Sequence, residues 1–169
     1  MARVKPLKAT PRPCPVCNME KISSDLWRCY RGVKFNFCSQ QCLDRFVAYP
    51  GLYCGNPKTG KSEKQKGRTE LECHKIVFTK KIPDDQYKGV ETQLKSMMGV
   101  VSIQQGDNHI IVTYDLLEVS LASIEDVVQR VLSDFNTTLL NTLHRTWVRY
   151  TEECELENMS NPGKSSGCH

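Results

Sequence analysis

Cys14-Pro15-Val16-Cys17 and Cys38-Ser39-Gln40-Gln41-Cys42 carry the chemistry of this chain. Two cysteines two residues apart can turn both sulfurs onto one ion from a single tight turn. Two cysteines four positions apart stack their sulfurs on one helical face. Two such pairs, 20 residues apart, supply four thiolates, the donor set of a tetrahedral zinc site. Cys14, Cys17, Cys38 and Cys42 are therefore the expected metal ligands, with Zn2+ as the expected ion.

Those four residues must be held by a hairpin and a helix. Trp27 to Tyr30 and Val33 to Phe37 read as two short strands turning at Arg31-Gly32. Ser39 is placed to cap a helix from Gln40 to Ala48, which Pro50-Gly51 should end. A segment of some 40 residues lacks the apolar content to fold unaided, so a metal staple suits it.

The segment 14–54 resembles the YHS and TRASH family of metal-associated modules. The resemblance lies in Cys14-Pro15-Val16-Cys17-Asn18-Met19, in Tyr30 through Cys42, and in Phe46 and Pro50-Gly51-Leu52-Tyr53. It implies a treble-clef zinc fold and a place in heavy-metal trafficking, resistance or sensing. Cys17, Cys38 and Cys42 would match the three-cysteine signature, and Cys14 would complete the site.

Downstream, residues 55–70 are polar and basic and read as a linker or long exposed loop. Gly55 to Ser62 fits the short pattern GxxxxGK[ST], but no apolar strand leads in and no apolar helix leads out, so nucleotide binding is not expected. Residues 71–143 alternate strand-like and helix-like runs: a strand beginning near Leu71 and including Ile76 to Thr79, a helix from Asp84 to Met97, strands over Val100–Gln104 and Ile110–Tyr114, a helix from a Ser123 cap to Ser133, and a last strand over Thr138–Leu143. The expected architecture is thus a small treble-clef zinc module followed by an α+β ferredoxin-like βαββαβ domain, with a C-terminal helix over His144–Glu157. Residues 1–13 and 158–169 read as tails.

The second unit resembles, weakly, a heavy-metal-associated domain of ferredoxin-like fold. That family carries a CxxC pair after its first strand. Here the matching stretch is Phe78-Thr79-Lys80-Lys81-Ile82-Pro83-Asp84, so metal binding in the family's manner is not expected.

Five cysteines remain. Cys29 and Cys54 read either as buried small hydrophobes or as a second, softer site for Cu+. Cys73-His74, Cys154 and Cys168-His169 are partial ligand sets. No cysteine can be matched to a histidine base from sequence, and neither HExxH nor a two-carboxylate site occurs, so an enzyme is not expected.

Charge is divided unevenly. Residues 1–81 hold 17 Lys or Arg against 6 Asp or Glu, and residues 82–169 hold 6 against 13. The halves offer opposite docking surfaces. With no apolar leader and no membrane span, the reading is a cytoplasmic metal-binding accessory protein, meeting a metal transporter or a regulatory protein. The alternative is a zinc-stabilised module for protein interaction or nucleic acid, with Lys21, Arg28, Arg31, Lys34 and Arg45 available to phosphates.

Overall fold

In the computed structural model, residues 12–56, 58, 60–132 and 139–161 are described, with side chains in the last stretch from residue 146 onward. Strands β1 (Trp27–Tyr30) and β2 (Val33–Asn36) pair antiparallel. Their turn residues, Arg31 and Gly32, have φ of 50° and 77°. Two successive positive φ values match the twist of a two-residue hairpin.

Helix α1 (Gln40–Ala48) starts at Ser39, whose side chain accepts from the Cys42 amide. Cys42 and Phe46 lie on its buried face. Phe46 is the centre of an aromatic cluster, with ring centroids 5.2 Å from Phe35, 5.0 Å from Phe37 and 6.0 Å from both Tyr30 and Tyr53. Pro50 stops α1 but does not end helical structure. It opens α2 (Pro50–Tyr53), because a first-turn residue needs no N–H donor. Leu52 and Tyr53 are thereby buried.

The basic stretch after α2 is tied down. Asn56 and Gly60 bridge, and Lys64–Lys66 form a 3-10 turn. Gly55 to Ser62 follows a helix and leads into that short turn, so the strand–loop–helix frame of a phosphate loop is not formed.

The second sheet holds β3 (Leu71–Val77), β4 (Val100–Gln105) and β5 (His109–Asp115), in the order β3-β5-β4 and antiparallel throughout. Helices α3 (Asp84–Lys95) and α4 (Leu121–Val131) pack together. They contribute Val90, Leu94, Ile124 and Val128 to a core shared with Ile76, Ile110, Val112 and Tyr114. Ser120, not Ser123, caps α4. Its side chain accepts from the Ser123 amide, which makes Ser123 the third helical residue and removes Asp126 from any capping box.

The last expected strand, Thr138–Leu143, is corrected. Thr138 lies outside the described residues, and Leu139 begins α5 (Leu139–Ser160). A short apolar run does not by itself distinguish strand from helix. Here it is continuous with a long helix that buries Val148, Glu152 and Leu156. Among the described residues the unit is βαββα on a three-stranded sheet, short of the full βαββαβ ferredoxin-like order. The protein is therefore a small α+β structure with two sheets.

Both parts meet around the end of β5 and the β5–α4 connection, residues 116–120. Tyr53 donates its hydroxyl to the Leu117 carbonyl at 2.5 Å. Arg45 donates to the Leu116 carbonyl, and Gln41 donates to the carbonyls of Met98 (2.9 Å) and Glu118 (3.4 Å). Lys64 lies 3.2 Å from the Asp115 carboxylate and 2.6 Å from that of Glu118.

Candidate metal centre

The knuckle is a closed turn. The Asn18 amide donates to the Cys14 carbonyl at 2.8 Å, and the Cys14 amide donates to the Met19 carbonyl at 2.9 Å. Asn18 has a φ of 59°, a left-handed conformation that Asn tolerates better than most residues. Cys38 is placed by its neighbour. The Phe37 amide donates to the Leu26 carbonyl, and the Phe37 carbonyl accepts from Ser23, each at 2.9 Å. Cys42 sits one helical turn further, on the buried face of α1.

All four sulfurs then converge. Those of Cys14, Cys17, Cys38 and Cys42 lie within 4.8 Å of one another. Cys17 and Cys38 are 3.4 Å apart, and Cys38 and Cys42 are 3.5 Å apart. Four thiolates at about 2.3 Å around zinc would stand about 3.8 Å apart, so the spacing suits a tetrahedral ion. Cys14 and Cys42 are fully buried, while Cys17 and Cys38 are half-buried. One side of the cluster is closed by the core and the other is reachable.

Electrostatics point the same way. The Cys42 thiol donates to the Cys14 sulfur, which also receives the amides of Cys17, Cys38 and Val16. Against the cost of burial, these donors pull Cys14 down to about 4. Burial pushes Cys17 up to about 12. Cys42 is raised as well, because its proton is held by Cys14 and because it is buried. Without a cation the cluster thus holds one thiolate readily and resists further negative charge. A thiophilic divalent ion offsets that repulsion.

The remaining cysteines do not join this cluster. Cys29 is exposed on β1 rather than buried, opposite Lys34. Cys54 is half-buried at the end of α2, and burial pushes its thiol up to about 11. Cys73 is exposed and lies within β3. Cys154 is half-buried on α5, and Cys168 and His169 lie outside the described residues. Among the described residues, Cys14, Cys17, Cys38 and Cys42 are the one group of three or more Cys, His, Asp or Glu side chains suited to a metal ion.

Sequence reasoning passed over the residues that fasten the cluster to the rest of the fold. Gln41 sits beside a ligand, yet nothing in its type announces a bond to Met98, 57 residues away. Arg45 reads as a phosphate contact, but its guanidinium is engaged with the Leu116 carbonyl and lies 5.5 Å from the Tyr49 ring centroid.

No described helix is long and apolar enough to cross a membrane. No protein-family model, no curated protein and no solved structure matches the chain.

Proposed function

We propose that this chain is a zinc-binding accessory protein of heavy-metal handling, akin to the TRASH and YHS modules. In this reading the ion held by Cys14, Cys17, Cys38 and Cys42 sets the pose in which α1 docks. The carrying observation is that one nine-residue helix bears both the ligand Cys42 and the docking side chains Gln41 and Arg45. Metal occupancy and docking are then one equilibrium, since ligands gathered by folding are also gathered by the ion.

The half-buried pair Cys17 and Cys38 supports exchange as well as storage. A thiolate from a transporter or regulatory protein can approach that side, and Cu+ can be carried by two or three thiolates.

Native mass spectrometry after metal-limited purification, with Zn2+ and Cu+ titrations, tests both parts. The expected result is one zinc per chain, displaced by Cu+ or drawn off by a competing dithiol. A single zinc that neither treatment moves would sink the exchange role and leave a structural staple. Full folding of Cys38→Ser without metal would sink the staple.

A further inference from the structure

One face of the β1–β2 hairpin packs Tyr30 and Phe35 on Phe46, and the other face is turned to solvent. Trp27 is 49% exposed. In the antiparallel register Trp27 opposes Asn36 and Cys29 opposes Lys34. Alternation along the strands puts these four residues on one face. On that face the Lys34 ammonium lies 4.7 Å from the centroid of the Trp27 ring.

The charge of the hairpin is of one sign. From Trp27 to Asn36 the sequence holds Arg28, Arg31 and Lys34 and no acid, and all three are exposed. Five cations elsewhere in the fold stand in ion pairs: Lys64 with Asp115 and Glu118, Lys66 with Glu63, Arg68 with Glu70, Lys95 with Glu91 and Arg149 with Glu125. Among the described residues, none of the three hairpin cations stands in an ion pair. Arg31 instead lies 5.1 Å from the centroid of the Tyr30 ring.

An exposed indole costs free energy in water and is not needed for the core. Flanked by unpaired cations, it fits a ligand that presents flat π faces and regularly spaced negative charge. Single-stranded nucleic acid does both: bases stack on aromatic rings, and phosphates meet Lys and Arg. An acidic peptide offers the charge but not a stacking partner at each repeat.

We propose that the outer face of the β1–β2 hairpin binds single-stranded nucleic acid without sequence preference, with Trp27 stacking on a base and Lys34 and the turn residue Arg31 contacting phosphates; Arg28, opposite Phe35 on the other face, takes no part. Arg45, held by Leu116, takes no part. Metal exchange is not required, only the zinc-folded hairpin.

The test uses the full zinc-loaded chain carrying Trp147→Phe, so that Trp27 is the sole indole. Titration with oligo-dT and oligo-U at low salt is expected to quench Trp27 emission. With two phosphate contacts, the slope of log affinity on log salt is expected to be about −1.4. Trp27→Ala, checked for one bound zinc, is expected to weaken binding by about fivefold or more, the range of one lost stack. Bound oligonucleotide is also expected to slow alkylation of Cys29 and leave that of Cys73 unchanged. Binding with unaltered Trp27 emission, equal affinity of Trp27→Ala, or equal quenching by poly-glutamate would each overturn the proposal. The last result would reassign the face to an acidic protein.

Discussion

The Tyr53 hydroxyl donates to the Leu117 carbonyl at 2.5 Å, joining residues 64 positions apart. Tyr53 is 2% exposed and Leu117 is fully buried. The bond spans the seam between the cysteine-bearing part and the three-stranded sheet. Tyr53→Phe keeps the ring in the Phe46 cluster but leaves a buried carbonyl without this donor. A loss of about 1–2 kcal/mol is expected. Urea denaturation of the zinc-loaded protein measures it, and a loss below a few tenths would show that water replaces the bond.

Lys64 ties the seam on its other side. Its side chain is 9% exposed and bridges Asp115 and Glu118. Removing one member of a buried charge group strands the others. Lys64→Met is expected to cost about 3 kcal/mol. Adding Asp115→Asn and Glu118→Gln should recover part of it, although Asp115 also accepts from the amides of Glu70 and Leu117. A full double-mutant set under denaturant gives the coupling, and strictly additive losses would contradict it.

Zinc affinity should climb with pH. Cys17, raised to about 12 by burial, and Cys42, also raised, enter the neutral range protonated and must lose those protons to bind. Cys14, lowered to about 4, contributes no proton there. About two or more protons are therefore released per ion, so the logarithm of affinity rises with pH between 5 and 8 and zinc escapes on acidification. Competition with a chromophoric chelator across that range supplies the slope, and a flat profile would contradict the assignment.

Glu152 lies on the buried face of α5, where it accepts from the Tyr114 hydroxyl and the Leu121 amide. Burial raises its carboxyl above the ordinary range, although the Tyr114 and Leu121 donors oppose the shift. The native state then holds a proton that the unfolded chain releases. Its contribution is complete below the ordinary carboxylate range and declines as pH rises through the shifted value. Glu152→Gln, which is never charged, should flatten that decline while staying within about 1 kcal/mol of the parent at neutral pH. Thermal melts from pH 4 to 8 compare the two, and parallel curves would exclude Glu152 as the titrating group.

Local rules made much of the cysteine-bearing part legible. The spacing of Cys14, Cys17, Cys38 and Cys42, the Ser39 cap and the Arg31-Gly32 turn each act within a few residues of chain. The α1 helix accordingly spans Gln40–Ala48, as its cap and apolar face imply. The α4 boundary was less legible, because Ser120 and Ser123 are both competent caps and only the burial of Leu121 selects the earlier one.

By itself, then, the sequence determined which sulfurs could share an ion and which strands and helix would carry them, because turn and helix geometry fix distances over short separations. Tertiary structure decided what that cluster is fastened to. The polar stretch 55–70 became an anchored segment because Lys64 found two carboxylates on a distant loop. Leu139 to Leu143 became helix because α5 runs on to bury Val148, Glu152 and Leu156. Cys29 came out exposed and Cys42 buried because the faces of β1 and α1 are assigned by what packs against them. Such choices rest on contacts between residues far apart in the chain, and no local spacing encodes them.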